Sequence, residues 1–388
     1  MKRKQQIRTA FTLVELLVVI TIIGILASLI TVGVRGAVIT AKKAKINMEL
    51  SQVTVALDRY RSEFGEYPPD LSDKAAVLRH VKKRWPRFQL TGSDETEQIK
   101  AFFNAVSYAY RNAERVAVIN TLSNGELSVT PTMNFFDTTH IDPTDTSATL
   151  YGEASYIAAL PLWLGGFPNQ DGTFSGFSAD PTAPFGRCNG VAVDGRKIDQ
   201  ADWNNIMIGT QDSKTVFMEL TVGKNVRFVI TGTGNNTVFP CVANVLRNDL
   251  FVPYIYFRAR PGGGQNAYLG VDENGDTIVR SLDFANGYNG TWSEMGEAAP
   301  YAKAGDPFNK GLSPRETAVW HNPDSFQLIH PGLDGKFGVI QTRIDDDPFC
   351  DENFRSILSD ATNNNIGQAD YDNLTNFTEG KDLKTLIE

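Results

Sequence analysis

The chain has 388 residues and a formal net charge of −8 at pH 7, which arises from 45 acidic and 37 basic residues. An acidic chain lacks the basic surface that phosphate groups require, so this charge argues against nucleic acid as a partner. The length suffices for one large domain or two ordinary ones. Neither an internal repeat nor a low-complexity linker marks a second domain.

The N-terminus combines a basic leader with an apolar segment of membrane-spanning length. Residues 1–10 carry four basic and no acidic side chains, and residues 11–34 carry a single charged side chain, Glu15. About 20 apolar residues span a bilayer, and the positive-inside rule keeps a basic leader in the cytoplasm. A centrally placed carboxylate costs roughly 2.5–3.5 kcal/mol on insertion scales. Because the chain retains Glu15 despite this cost, we expect it to have a function.

Two simpler interpretations of this segment fit less well. A cleaved signal peptide has an apolar core of about 7–15 residues before a small-residue cleavage site. Here the apolar run is longer, and Arg35 follows it. A plain signal anchor fits the length but leaves Glu15 without a role. The sequence therefore favours a segment that both spans a membrane and uses its carboxylate.

The junction between the leader and the apolar run reads Ala-Phe-Thr-Leu-Val-Glu over residues 10–15. It resembles the N-terminus of type IV pilins and type II secretion pseudopilins. The resemblance implies that a prepilin peptidase cuts between Ala10 and Phe11 and that Phe11 is then N-methylated. Glu15 would pair with the amino terminus of a neighbouring subunit, since opposite charges buried together attract strongly while either alone is costly. Ala10 departs from the family pattern, in which glycine usually precedes the cut.

The same resemblance implies a set of partners and a location. The partners are other pilin-like subunits in a homo-oligomeric fibre, the prepilin peptidase, an inner-membrane secretion assembly platform and the membrane itself. The protein would cross the inner membrane once, with its globular domain in the periplasm, and then enter a periplasmic pseudopilus. Removal of the four leader cations would change the net charge from −8 to −12.

Beyond the apolar run, the helical pattern continues as an amphipathic stripe. Apolar residues recur at spacings of four, three, four, three and four, as on one face of an α-helix: Ile46, Leu50, Val53, Leu57, Tyr60 and Phe64. We expect one helix of about 80 Å that begins at Phe11, with residues 11–34 in the membrane and 35–65 in the periplasm. Gly65 and the Tyr-Pro-Pro sequence shortly after it end the helix, because proline cannot continue one. This exit resembles the Gly-x-Tyr-Pro turn of pseudopilins.

The globular region, residues 66–388, contains both helical and strand-like patterns. Helical periodicity occupies 72–83 and 95–117. Short runs rich in β-branched and aromatic residues predict strands at Thr215–Leu220, Val226–Thr231, Tyr254–Ala259 and Thr277–Val279. The predicted fold class is α+β, with a long N-terminal helix packed on a mainly antiparallel β-sheet with large loops. Typical pseudopilin globular domains are much smaller, so this chain has an enlarged middle region.

A C-terminal segment suggests a calcium site by resemblance to the major pseudopilin. A strand-like run ends in the turn Gly-Leu-Asp-Gly at 332–335, and an acidic, Asn-containing stretch follows at 369–373. The resemblance implies calcium bound by oxygen ligands, namely Asp334, Asp370, Asp372 and the carbonyl of Pro331. An insert over 339–367 separates the two halves, which is a departure from the family. The alternative is a plain turn in which Asp334 bonds its own backbone.

The remaining motifs argue against catalysis. The chain has no phosphate-binding Gly-x-x-x-x-Gly-Lys-[Ser/Thr] motif, no Gly-x-Ser-x-Gly elbow and only four widely spaced histidines. We therefore predict no enzymatic activity. Three cysteines, Cys188, Cys241 and Cys350, cannot all pair within one chain. One disulfide and three free thiols both stay open.

Three functions are compatible with these features. The first is a structural fibre subunit of a type II secretion pseudopilus, which assists export of folded proteins. The second is a surface type IV pilus subunit with an adhesive role, and the third is a singly anchored periplasmic binding module. The exit turn and the Gly-x-Asp-Gly region favour the first, because many surface pilins instead carry a C-terminal disulfide loop. The large middle region is the best argument for the other two.

Overall fold

The computed structural model describes residues 13–122, 128–130, 132–136, 155–208, 216–231, 237–247, 250–271, 277–284, 295–304, 319–337, 373–378 and 383. The chain divides into two compact units, Met1–Lys45 and Ile46–Glu388. The helices are α1 (Leu13–Phe64), α2 (Lys74–Arg84), α3 (Glu95–Tyr110), α4 (Ala113–Leu122) and α5 (Ser155–Leu160), which a π-helical turn over Pro161–Gly165 extends. Short 3-10 helices occupy Gln200–Asn205 and Gly264–Asn266.

The strands lie mostly in the second half of the chain. They are β1 (Asn134–Phe135), β2 (Arg187–Cys188), β3 (Val191–Ala192), β4 (Ile206–Met207), β5 (Val226–Thr231), β6 (Thr237–Arg247), β7 (Leu250–Pro253), β8 (Ile255–Arg258), β9 (Leu269–Val271), β10 (Thr277–Val279), β11 (Leu282–Asp283), β12 (Glu297–Ala298), β13 (Ala302–Ala304), β14 (Val319–Trp320), β15 (Phe326–His330) and β16 (Leu374–Thr375).

Small sheets, rather than one large sheet, are built from these strands. One has the order β1-β6-β5 with β7 also paired to β6, a second the order β16-β15-β8, and a third the order β3-β2-β4. Two-stranded ribbons join β9 to β10, β11 to β12 and β13 to β14. Among the described strands, β1 runs parallel to β6 and the other paired strands run antiparallel. The predicted α+β class is confirmed.

The second half of α1 presents the predicted apolar stripe to the core. Five of the six stripe residues are at most 3% exposed, namely Ile46, Leu50, Val53, Leu57 and Tyr60. The sixth, Phe64, is partly buried. Val55, on another face, is 66% exposed. Full burial of such a side chain contributes roughly 1.5–3 kcal/mol. The amphipathic pattern therefore predicted correctly which face of α1 is buried.

The helix ends where the sequence predicts. Gly65 has a φ of 73°, in the left-handed region that glycine adopts without steric cost. Its N–H donates to the carbonyl of Arg61 at 2.7 Å and so satisfies one of the last carbonyls of α1. The prolines that follow then prevent a return to helix.

An aromatic cluster ties the middle region to the same core. Trp163 is fully buried, and its ring stacks at 5.9 Å on Phe102 of α3. The ring of His80, on α2, meets Trp163 edge-on at 5.0 Å, and Trp85 lies 6.5 Å away. Aromatic pairs at these spacings contribute about 0.5–1.5 kcal/mol beyond the area that they bury. The described part of the middle region thus shares one hydrophobic core with the second half of α1.

The two helices predicted after α1 have different outcomes. The predicted helix 95–117 is two helices, because α3 ends at Tyr110 and α4 begins at Ala113. The side chain of Asn112 accepts the N–H of Glu114 at 3.0 Å, as a residue that starts a new helix does. The prediction at 72–83 is correct to within two residues, since α2 begins after Asp73, whose carboxylate accepts the N–H of Ala76.

The predicted strand Thr215–Leu220 is wrong over the part that the structure describes, residues 216–220, which are irregular. The N–H of Phe217 donates to the carbonyl of Leu164 at 2.9 Å, and its ring packs 4.8 Å from that of Tyr60. The segment therefore fills space beside α1 instead of joining a ladder. The predicted strands at 226–231, 254–259 and 277–279 are present, the second as Ile255–Arg258.

Candidate functional site

The first described turn of α1 carries Glu15. Ala10 and Phe11, the predicted cleavage and methylation residues, lie outside the described residues. Glu15 is exposed and is the acidic residue of the first turn of the helix. A carboxylate at this end of a helix interacts favourably with the partial positive charge of the helix N-terminus.

The helix around Glu15 is apolar on every side. Leu13–Ile30 forms an 18-residue stretch of mean hydropathy 2.8, and none of it is buried. The exposed fractions of its large apolar side chains run from 43% at Val19 to 80% at Leu13. A helix that is hydrophobic all round requires lipid or other helices as its surroundings. By length and composition this helix can cross a membrane once.

The turn after α1 is held by a buried carboxylate, Asp70. Arg280 donates from Nη1 to Oδ2 of Asp70 at 2.6 Å, and the backbone N–H of Arg258 donates to the same oxygen at 2.9 Å. The hydroxyl of Ser72 donates to Oδ1 at 2.6 Å. The side chains of Asp70 and Arg280 are 3% and 4% exposed. The pair therefore locks the exit turn to a segment more than 200 residues away in sequence.

A second buried network surrounds His80. Its Nε2 lies 2.6 Å from the hydroxyl of Tyr60, and its Nδ1 lies 2.8 Å from Oε1 of Glu66. Arg84 donates to the Tyr60 oxygen at 2.9 Å, and Arg258 donates to Oε2 of Glu66 at 3.0 Å. The network connects α1, the exit turn, α2 and β8.

The protonation states in this network follow from burial. Burial lowers the pKa of His80 to about 4, so its ring is neutral at pH 7. Burial also raises the pKa of Tyr60, so its hydroxyl stays protonated. Although burial opposes ionisation of Glu66, hydrogen bonds and charge from His80 and Arg258 lower its pKa to about 2. Tyr60 therefore donates to Nε2 of His80, whose Nδ1–H donates to Glu66.

The order of carboxylate, imidazole and hydroxyl is that of a hydrolase triad, but these groups are too buried for a substrate to reach them. Tyr60 and His80 are both 0% exposed, so no substrate reaches the hydroxyl. The network instead stabilises the junction between α1 and the globular fold. No local sequence pattern predicts this network, because its members lie on separate elements.

The predicted calcium ligands are only partly described. Pro331 is buried and Asp334 is exposed in the turn that follows β15, while Asp370 and Asp372 lie outside the described residues. The Oδ1 atom of Asp334 accepts the N–H of Lys336 at 2.9 Å, as the alternative interpretation expects. No three His, Cys, Asp or Glu side chains cluster as a metal site within the residues that the structure describes.

Both described cysteines are free thiols. Cys188 is partly buried and Cys241 is fully buried. Burial raises the pKa of Cys241 to about 12, which makes its thiol unreactive. Cys350 lies outside the described residues. Cys188 and Cys241 therefore do not form the one disulfide that three cysteines allow.

Comparison with known proteins gives one match. The family model described as the prokaryotic N-terminal methylation motif matches residues 7–31, which include Ala10, Phe11 and Glu15. No curated protein and no solved structure matched the chain. The motif implies processing by a prepilin peptidase, assembly into pilin-like fibres and a single-pass membrane anchor. Residues 7–31 are therefore similar to the N-terminal segment of type IV pilin-like proteins.

Proposed function

We propose that this chain is a pseudopilin, a structural subunit of a type II secretion pseudopilus that assists export of folded proteins. The observation that carries the proposal is the coincidence of three features in residues 7–31: the methylation motif, an unburied apolar helix and Glu15 in its first turn. In this proposal the helix anchors the subunit in the inner membrane, and the globular fold occupies the periplasm.

The physical basis of assembly is the cost of an unpaired charge in an apolar environment. Once the leader is removed, the new amino terminus at Phe11 and the carboxylate of Glu15 have opposite charges four residues apart in sequence. In a fibre with staggered subunits, the amine of one subunit meets the carboxylate of the next. Each charge alone is expensive among apolar helices, while the pair is much less so. Assembly therefore relieves a cost that the isolated subunit carries in the membrane.

A surface type IV pilus is the alternative fibre. Many surface pilins close a C-terminal loop with a disulfide, whereas the two described cysteines here are unpaired. Deletion of the gene distinguishes the two fibres. A pseudopilin is required for export of folded proteins, so the deletion strain should retain them in the periplasm while its sheared surface fraction is unchanged. Loss of surface fibres with normal export would support the pilus instead.

Processing of the N-terminus gives the first prediction. In a host with its prepilin peptidase, intact-mass analysis should show loss of residues 1–10 and the addition of one methyl group. The same chain from a peptidase-deficient strain serves as the control and should keep the leader. An uncut chain from the competent host, or a cut beyond Val34, would contradict the pilin-like processing.

Glu15→Ala gives the second prediction. The variant should insert into the membrane at least as well as the wild type, since an apolar residue replaces a charge. It should form few fibres, because the amine of the neighbouring subunit loses its buried counter-charge. Cross-linking and fibre yield measure this. Leu16→Ala, a substitution at the adjacent exposed position, should assemble normally. If Glu15→Ala gave as high a fibre yield as Leu16→Ala and the wild type, the ion pair would be excluded.

We also propose calcium binding at the turn after β15. The turn is sharp, with Gly332 and Gly335 at φ of 65° and 75°, and it presents the Asp334 carboxylate to solvent. His330 pairs with Leu374, so the chain that enters β16 runs beside the start of this turn. Asp370 and Asp372 precede β16 in sequence, which supports their recruitment as further oxygen ligands.

The third prediction tests this site. Calcium that binds the folded chain and not the unfolded chain raises the melting temperature by mass action. Melting curves of the detergent-solubilised protein in calcium and in chelator should therefore differ. Asp334→Ala should abolish the difference, while Asp324→Ala, at another exposed turn position, should preserve it. Identical melting curves of the wild type in calcium and in chelator would contradict calcium binding and would leave Asp334 as a residue of a plain turn.

A further inference from the structure

A small basic pocket lies between the exit turn of α1, the start of α2 and the end of β8. Its volume is about 210 Å³. Ligand pockets for larger organic molecules usually exceed roughly 300 Å³, so this one admits only a small group. The charged side chains that line it are Arg79, Arg258, Arg260, Arg280, Asp70 and Asp73.

The charges around the pocket do not balance. Asp70 neutralises Arg280 at 2.6 Å, and Glu66, behind the pocket wall, neutralises Arg258 at 3.0 Å. Of the charged side chains that line the pocket, the Asp73 carboxylate and the guanidinium groups of Arg79 and Arg260 then remain. The Asp73 carboxylate lies 3.7 Å from Arg260 and already accepts an N–H as the cap of α2. The surplus is one positive charge in a chain whose net charge is −8. The N-terminus of α2 adds partial positive charge at the same place.

Hydrogen-bond donors at the pocket also lack acceptors. Arg258 is 5% exposed, and its Nη1 has no hydrogen-bond partner within the described structure. The same holds for Nε of Arg260, and Arg79 is exposed at the rim. An unsatisfied buried donor costs about 1–3 kcal/mol, and more for charged groups. Since arginine only donates, a group that satisfies these atoms must be an acceptor, and the surplus positive charge favours a negatively charged one.

We propose that this pocket binds a single oxyanion group, a carboxylate or a phosphate. Guanidinium groups match both in geometry and bind them through charge-assisted hydrogen bonds. Arg260 and Arg79 supply the contacts from the open side, and Arg258 supplies charge from the wall. The group is either a free anion or a carboxylate carried by a protein. The site is independent of the fibre role.

Titration calorimetry on the full chain in detergent tests the site with two probes, inorganic phosphate and N-acetylglutamate. The second represents a carboxylate carried on a protein, and chloride at matched ionic strength controls for screening. The double variant Arg79→Gln/Arg260→Gln should weaken binding at least tenfold, because two charge-assisted hydrogen bonds are lost. Arg87→Gln, at an exposed arginine outside the pocket, should bind as the wild type does.

The outcomes separate cleanly. Tighter binding of phosphate indicates a free anion, and tighter binding of N-acetylglutamate indicates a protein carboxylate. Absence of binding by the wild type to both probes overturns the proposal, and so does equal binding by the double variant and Arg87→Gln. Circular dichroism checks that the double variant is folded. If it is not, the single variant Arg79→Gln, at an exposed position, takes its place, and unaltered binding by that variant also overturns the proposal.

Discussion

Arg280→Gln should lower the free energy of unfolding by about 3–5 kcal/mol, because removal of one partner leaves the charge of Asp70 uncompensated in the interior. Both side chains are almost completely buried, and Arg280 also donates to the backbone carbonyls of Arg258 and Ala267. Urea unfolding of the detergent-solubilised protein, followed by tryptophan fluorescence, measures the change.

The chain contains a matched control for this variant. Arg187 and Asp180 also form an Arg–Asp pair, at 2.8 Å, but their side chains are 41% and 36% exposed. Ion pairs at exposed positions contribute about 0–1 kcal/mol. Arg187→Gln should therefore cost about 1 kcal/mol or less. Similar losses for the two variants would show that the junction around Asp70 does not depend on its buried charge.

His330→Leu should remove the part of the acid sensitivity of the protein that arises from His330. His330 is completely buried, and neither ring nitrogen has a hydrogen-bond partner in the part of the chain that the structure describes. Burial lowers the pKa of His330 from 6.5 to about 3. As the pH falls below 6.5, the unfolded chain binds a proton that the folded chain does not bind, so stability is lost until the folded pKa is reached.

The size of this effect follows from the pKa difference. Each unit corresponds to about 1.4 kcal/mol, so the step from pH 7 to pH 4.5 should cost the wild type about 2–3 kcal/mol through His330. His330→Leu should avoid that loss. At pH 7 the variant should also gain about 1–3 kcal/mol, because unpaired polar atoms leave the core. Urea unfolding at the two pH values measures both changes, and an unaltered pH dependence would contradict the account.

His80→Phe is the instructive comparison, because His80 is equally buried but fully hydrogen-bonded. Its loss leaves the hydroxyl of Tyr60 and the carboxylate of Glu66 without their ring partner. This variant should therefore be less stable than the wild type at pH 7, whereas His330→Leu should be at least as stable. The two substitutions should therefore change the free energy of unfolding in opposite directions, because His80 stabilises its hydrogen-bonded network whereas the unpaired His330 does not.

The sequence by itself determined the features that depend on local pattern. The charge and hydropathy of residues 1–34 predict the leader and the membrane-length helix, and the prokaryotic N-terminal methylation motif matches residues 7–31 of this segment. The stripe from Ile46 to Phe64 predicts the buried face of α1 because helical periodicity lies within a few residues. The end of α1 at Gly65 and the strands at 226–231 and 277–279 follow from equally local signals.

Tertiary structure alone decided which charges are buried together. Asp70 and Arg280 are 210 residues apart, and the Glu66 carboxylate meets an arginine 192 residues away. No periodicity connects such positions, since the partner is chosen by how helices and small sheets pack. The same packing turned Phe217 into a core side chain instead of a strand residue. The basic pocket exists for this reason too, because it brings Arg79 of α2 together with arginines near the end of β8 that lie more than 170 residues later in the chain.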